Sequence, residues 1–257
     1  MIQEAVAKGY KSAVSVGDTG VVTVSLAEEA GVKPSPLFNQ IDARQTNRSV
    51  YNGEKIALDV LKKLQSIRSE KGISVHYYAR QTKQFNDIEQ YVLQGNTNQM
   101  QKEAFKAELK SWMRFNKKHQ DQTLDGLSYA VFGAPNVPRW MAEPIMSMAI
   151  NAKAQNKADR DKIASASHLV LFTTRENSRR EWVDLGRTLQ RFLLTATELG
   201  IAHAYLNQPN EEAEIASEMA RTLGLDGEYP TILLRIGYGK QQAYSKRRPV
   251  EDVIIED

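Results

Sequence analysis

Four successive apolar residues, Leu169-Val170-Leu171-Phe172, lie between His168 and Thr173 and set the first constraint on the fold. A strand with one wet face alternates apolar and polar side chains, and this run has no polar face to offer. It predicts a strand covered on both sides, hence a sheet with helices packed above and below. The helix that follows is the best-specified element. Ser178 and Glu181 have the spacing of a capping box, the hydroxyl accepting from the amide three residues on and the carboxylate returning to the cap amide. Trp182, Leu185, Leu189, Phe192, Leu193, Ala196 and Leu199 then recur at helical spacing until Gly200 stops the helix. Gly186 on the same side is expected to admit another backbone closely.

Around this pair the chain alternates between helix and strand signals. Ile2 to Lys8 reads as a helix tail stopped by Gly9. Val14–Val16 and Val21–Leu26 flank Gly17-Asp18-Thr19-Gly20 as a hairpin. Pro34-Ser35-Pro36 opens a short helix through Ile41, and a longer one is expected over Asn52–Arg68, with Ile56, Val60, Leu61, Leu64 and Ile67 on one stripe. Ile73–Tyr78, Ile201–Leu206 and Thr231–Ile236 read as strands, Glu211–Leu223 as an amphipathic helix. A loop containing Gly133 to Pro138 leads into an expected long helix from Met141 towards Ala166. Gln81–Gln101 is rich in Gln and Asn with sparse apolar anchors, and Leu109, Trp112, Met113 and Phe115 mark a second amphipathic helix. These two predict a layer or lid, read as a solvated surface insertion. The mixture indicates an α+β fold with helices around one sheet.

Composition narrows the function. Lys and Arg number 34 against 31 Asp and Glu, a net +3 spread along the chain, which speaks against nucleic acid as the main partner. No cysteine is present, which excludes disulfides, thiolate nucleophiles and cysteine-ligated metal. No apolar run reaches the roughly 20 residues that span a bilayer. Met1–Gly9 lacks the pattern of a signal peptide. The four histidines, His76, His119, His168 and His203, show no metal-ligand spacing, and those in strands read as satisfied core or surface groups. Gly237-Tyr238-Gly239-Lys240 follows a strand without the helix a phosphate loop needs, and reads as a turn. No nucleophile elbow, Walker loop or dinucleotide fingerprint occurs. An enzyme of this sequence would lean on a cofactor for its chemistry.

Two basic clusters remain, Arg44-Gln45-Thr46-Asn47-Arg48 and Lys246-Arg247-Arg248-Pro249. Forked guanidinium donors of this kind clamp phosphates, and they also occur as plain solvated turns. Ile41 to Tyr51, followed by the helix containing Ile56, resembles the Arg-x-Ser-x-Arg segment of nitroreductase-like flavoproteins. Glu181–Gly200 with Ile201–Gln208 resembles their central helix and flavin-contacting segment. Arg235–Tyr238 and Ser245–Ile254 resemble their closing strand and C-terminal phosphate-binding arginine. Thr46-Asn47-Arg48, Trp112, Asp125-Gly126 and Leu206-Asn207-Gln208-Pro209 resemble the Acg-type branch, whose single chain carries two such halves and a lid.

The resemblance implies an α+β fold of helices around a mainly antiparallel sheet, with bound FMN. Residues 1–34 would be the remnant of a first half, and 35–257 a domain with a lid-like insertion at about 80–140. The family's Asn-x-Gln-Pro-Trp motif is absent, so the match starts partway through the first half. Arg44, Thr46 and Arg48 would face the phosphate and the polar edge of the flavin. Lys246, Arg247 and Arg248 would complete the phosphate site, and Asn207 and Gln208 would lie beside the redox-active ring. The implied activity is electron transfer from NAD(P)H to a small acceptor such as a nitro compound or quinone, in the cytoplasm. Two alternatives stand beside it, an FMN-sequestering protein and an interaction module whose site has decayed. A homodimer is expected, covering the stripe of Trp182, Leu185, Leu189 and Phe192; the competing expectation buries that stripe inside the chain.

Overall fold

The computed structural model describes residues 2–17, 19–132, 134–148, 150–244 and 246–254. Met1, Asp18 in the first hairpin turn, Gly133 in the expected loop, Ala149 in the expected long helix and Ser245 in the C-terminal segment lie outside them.

After α1 (Ile2–Ala7), strands β1 (Tyr10–Val16) and β2 (Val22–Glu28) form an antiparallel hairpin of their own. A 3-10 turn at Pro36–Gln40 leads to α2 (Leu58–Gln65), β3 (Ile73–Ala79), α3 (Lys83–Gln101) and α4 (Glu103–Trp112). Two short parallel strands, β4 (Met113–Arg114) and β5 (Leu127–Ser128), flank α5 (Lys117–Thr123). Then follow α6 (Arg139–Met148), α7 (Ala152–Ala164), β6 (His168–Thr174), α8 (Arg179–Glu198), β7 (Ala202–Tyr205), α9 (Ala213–Leu223) and β8 (Tyr229–Gly237). The central sheet has the order β3-β6-β8-β7, every pairing antiparallel. The α+β architecture expected from the sequence is the one observed.

All seven residues of β6 are buried, as its unbroken apolar run requires. Its alternation splits the core in two. Val170 and Phe172 meet Leu234 and Ile236 of β8, Leu185, Phe192 and Leu193 of α8, and Leu61 and Leu64 of α2. Leu169 and Leu171 face Phe85, Ile88 and Val92 of α3, Ile163 of α7 and Met219 of α9. Phe172 and Phe192 meet edge to face, with ring centroids 5.3 Å apart. The α8 stripe is therefore internal: Leu185 and Phe192 are 3% and 1% exposed, and the chain's own sheet covers them. Trp182, 48% exposed, reaches solvent, and Leu189 is partly buried against the same core.

Several expectations are corrected. The stretch 81–101 is no solvated insertion, since Ile88 and Val92 of α3 are fully buried against the sheet. Its Gln and Asn residues misled because some are themselves buried and paired. The helix expected over Asn52–Arg68 is confined to α2, because residues 51–57 are irregular and tied to the chain before β6. There the amides of Tyr51 and Ile56 each donate at 2.9 Å, to the hydroxyls of Ser165 and Ser167. The helix expected from Met141 to Ala166 is two helices, the second started by Asn151, whose side chain accepts from the Ala154 amide at 2.9 Å. At α8, Ser178 caps as expected (3.3 Å), but the Glu181 carboxylate accepts from the Glu176 amide at 2.7 Å and not from the cap amide. A Cβ on Gly186 would meet nothing within 4 Å, so no backbone approaches there. Among the described residues no helix is long and apolar enough to cross a membrane.

Candidate functional site

The strand β7 is short and lies at an edge of the sheet, and the chain from Arg44 to Ser49 runs along it. The Asn47 amide donates to the His203 carbonyl at 2.9 Å. Asn47 is buried, and its side chain is fully used: Nδ2 donates to the Lys240 carbonyl (2.8 Å), while Oδ1 accepts from the Ser49 amide (3.1 Å) and hydroxyl (2.6 Å). Its carbonyl accepts from the Tyr51 hydroxyl (3.2 Å) and from Arg235 Nη2 (3.1 Å). Arg235 is itself 1% exposed. Gly237 and Gly239 let the chain close over the Tyr51 ring, since a Cβ at either position would come within 2.8 and 2.9 Å of it. The turn read at 237–240 is thus a clamp on the basic segment. The Gln45 side chain extends the clamp onto the Gln242 main chain, donating to its carbonyl at 3.1 Å and accepting from its amide at 2.6 Å, and the Tyr244 hydroxyl donates to the Ala43 carbonyl at 2.8 Å.

This network fixes the segment carrying Arg44, Thr46 and Arg48, whose side chains make no hydrogen bond or ion pair among the described residues. Arg48 is half-buried, and that burial pulls its pKa below the usual arginine value, with no carboxylate among the described residues offsetting it. Arg44 and Arg48 both flank Tyr205, whose pKa burial pushes up against the pull of the two guanidiniums. Arg44 also faces His203, which burial first and Arg44 second push down to about 4. His203 therefore stays neutral at neutral pH. The sequence reading of strand histidines as satisfied groups fits His76, bonded to Glu228 at 2.7 Å, and His168, bonded to Ser167 at 2.9 Å. His203 departs from it, because neither of its ring nitrogens has a partner.

The other residues singled out from the sequence lie differently. Asn207 Oδ1 accepts from the Leu233 amide at 2.9 Å, extending the β7–β8 pairing beyond the end of β7. Gln208 Nε2 donates to Asp159 Oδ2 at 3.2 Å. Asp159, 2% exposed, also accepts from Asn96 (3.0 Å), Gln155 (2.9 Å) and Lys162 (3.0 Å). One polar atom of each side chain is thus committed to the fold, while Gln208 Oε1 is buried without a hydrogen-bond partner among the described residues. Lys246 pairs with Asp121 at 2.5 Å and Arg248 with Asp125 at 3.9 Å, across from the clamp. Arg247 is exposed and joins neither pair.

Larger cavities lie elsewhere. One of about 630 Å³ sits between Trp182, α9 and the start of β8; one of about 500 Å³ lies between the β1–β2 hairpin and α8. Neither is lined by Arg44, Thr46 or Arg48. The candidate site is an open edge lined by cations. Its missed members are Asn47, Tyr205, His203 and Arg235. The period-two alternation of β7, which puts His203 and Tyr205 on one face, was the signal available for two of them.

A model of the nitroreductase family matches residues 41–238. The chain belongs to the nitroreductase family. The family match takes in Arg44–Arg48 and Asn207–Gln208, and stops short of Lys246–Arg248. Three solved family structures share the fold. An FMN and NADPH-dependent nitroreductase mutant from sphigopyxis sp. strain HMH has a TM-score of 0.56 at 14% identity, over 86% of this chain and 99% of that one. An FMN-dependent nitroreductase from Mycobacterium smegmatis, solved with NADPH, has a TM-score of 0.53 at 13% identity, over 85% and 96%. A nitroreductase from Bacteroides fragilis with bound FMN has a TM-score of 0.50 at 14% identity, over 87% and 98%. A search of curated proteins finds no match to this nitroreductase-family chain.

Proposed function

We propose that the protein is an FMN-dependent oxidoreductase of the Acg type, passing electrons from NAD(P)H to a small acceptor such as a nitro compound or quinone. One observation carries the reading. Arg44 and Arg48 are held on the β7 edge by the bonds of Asn47, with partly buried Thr46 between them and no carboxylate drawing Arg48 away. A half-buried cation without a counter-charge gains most from an anionic ligand, and forked guanidiniums suit a phosphate. The donor set therefore fits the phosphate end of FMN, with Arg247 as a further cation. Asn207 and Gln208 fit the ring end through their main-chain amides, because Asn207 Oδ1 already accepts from Leu233 and Gln208 Nε2 already donates to Asp159. Bound there, FMN would supply two-electron transfer between nicotinamide and acceptor.

The protein's own groups bind and orient. Asn47 and Arg235 keep the basic segment in register, and Tyr205 lies near enough to both guanidiniums for each to lower its pKa. FMN-bearing and NADPH-bearing relatives with the same fold support this cofactor and donor. A nicotinamide donor also fits a cytoplasmic location. The lid is best drawn beyond α3, from residue 102 to about 140, because α3 belongs to the core. Homodimerisation would use the apolar groove between the hairpin and α8, edged by half-exposed Val22 and Ile41, in place of the buried α8 stripe. Light scattering should then give about twice the 29.0 kDa chain mass.

Anaerobic addition of NADPH to the FMN-loaded protein tests the activity. Bleaching of the yellow colour within seconds, reversed by a nitroaromatic or quinone, is expected. A colour that persists would mean storage without turnover, and protein that takes up no FMN would remove the reading.

A further inference from the structure

His203 and Tyr205 lie two residues apart on β7 and so share a face of the sheet. Their register partners, Ile236 and Leu234, belong to the core beneath α8. In that setting His203 is 1% exposed, and neither Nδ1 nor Nε2 meets a hydrogen-bond partner among the described residues. Buried polar groups in folded proteins are paired almost without exception, so an imidazole orphaned at both nitrogens calls for a partner from outside the chain. Its surroundings define that partner. The 44–48 segment is tied to the His203 main chain through the Asn47 amide, and the charge of Arg44 acts on the His203 ring and, with that of Arg48, on Tyr205. No carboxylate acts on His203, Tyr205 or Arg48 among the described residues. Every charged neighbour is a hydrogen-bond donor, and a neutral imidazole adds one more N–H.

We propose that His203 is a third donor of the anion site, its ring N–H reserved for an oxygen of a phosphate held by Arg44 and Arg48. The proposal rests on reading this edge as a phosphate site. It assigns the buried histidine a positioning role: its ring is carried on a strand of the sheet, whereas the two arginines reach an anion on long side chains. A cation pair alone attracts any anion, whereas a rigid N–H on a strand selects an oxygen at a set place. An anion seated there would also favour the protonated ring, opposing the burial and the Arg44 charge that now keep it neutral.

Imidazole NMR on the ¹⁵N-labelled full chain tests this, with His203 assigned by the signal lost in His203→Gln. Inorganic phosphate and FMN should each move the His203 ring resonances and raise its titration midpoint from about 4 by about one pH unit or more. Riboflavin should do neither. His203→Phe should weaken FMN binding about tenfold, the loss of one hydrogen bond to a charged group, and His203→Gln should restore most of it through its amide N–H. A ring that stays unmoved at saturating phosphate overturns the proposal even if His203→Phe fails to fold. FMN binding that needs Arg48 while His203 stays silent would overturn it and leave the flavin reading intact. Phosphate moving the ring in a protein that takes up no FMN would do the reverse.

Discussion

The guanidinium of Arg235 stacks on the ring of Tyr51, its central carbon 4.0 Å from the ring centroid, although the two come from opposite ends of the family-matched segment. Arg235 also donates to the carbonyls of Asn47 and Ser49 at 3.1 and 2.8 Å. A buried cation is tolerated here because an aromatic face and two carbonyls replace its water. The pair is what holds the basic segment against the sheet. Arg235→Met should therefore cost about 2–4 kcal/mol, because it strands the partly buried Ser49 carbonyl, takes one of two donors from the Asn47 carbonyl and uncovers the face of the Tyr51 ring. Tyr51→Phe, which keeps the ring and loses only the bond to the Asn47 carbonyl, should cost about 1 kcal/mol. Urea unfolding midpoints at constant slope check both, and a milder effect for Arg235→Met than for Tyr51→Phe would contradict the assignment.

Arg48→Ala should weaken FMN by about 1.5–3 kcal/mol and leave riboflavin nearly unchanged, since only the phosphate distinguishes the two ligands. Arg247 is exposed and outside the clamp, so Arg247→Ala should give the same selectivity with a loss nearer the low end. Fluorescence titration of both flavins measures this. Equal losses for the two ligands would mean the arginines serve the fold.

His203 makes stability depend on pH without any ligand. Its folded pKa of about 4 lies below the unfolded value of 6.5, so between those limits the unfolded chain takes up a proton that the folded chain refuses. Stability must then fall as pH drops from about 6.5, with the loss approaching about 3 kcal/mol near pH 4. Subtracting the urea stability of His203→Phe, measured from pH 4.5 to 7, removes the titration of other groups. A difference that does not change over that range would show that the ring is free to protonate in the folded state.

The sheet and its two flanking layers were legible because β6 and α8 carry period and capping signals strong enough to survive any context. The site was legible only in part. Arg44, Thr46 and Arg48 stand out as charge in a short segment, and the structure leaves them available. Asn207 and Gln208 look just as available in sequence, yet Asn207 Oδ1 and Gln208 Nε2 are taken by Leu233 and Asp159, partners 26 and 49 residues away. Lys246 and Arg248 are similarly drawn off by Asp121 and Asp125. No local pattern reveals such a partner. The polar helix α3 was misjudged for a related reason. Asn96 and Gln99 are buried, Asn96 bonded to Asp159 and Gln99 to Glu211 at 2.5 Å, so residues that signal a solvated face here line an interior one.

Gly95 shows how tightly that face is closed. It sits within α3, where glycine costs about 1 kcal/mol relative to alanine, so helix propensity alone predicts that Gly95→Ala stabilises the protein. The structure predicts the opposite. A Cβ at this position would lie 2.7 Å from the main-chain carbon of Gln208 and 2.8 Å from its oxygen, and backbone cannot swing aside as a side chain can. Either α3 or the 207–210 turn must shift, which loosens the Asp159 bonds to Asn96 and Gln208 together. Gly95→Ala should therefore destabilise by about 1–3 kcal/mol, the range for overpacking a close contact. Because the same turn carries the main-chain amides assigned to the flavin ring, the variant should also weaken riboflavin and FMN alike. That pattern is the converse of the one expected for Arg48→Ala. Urea unfolding and the paired flavin titrations read both effects on one preparation, and a variant more stable than the parent would mean that the Gln208 turn is not seated on α3.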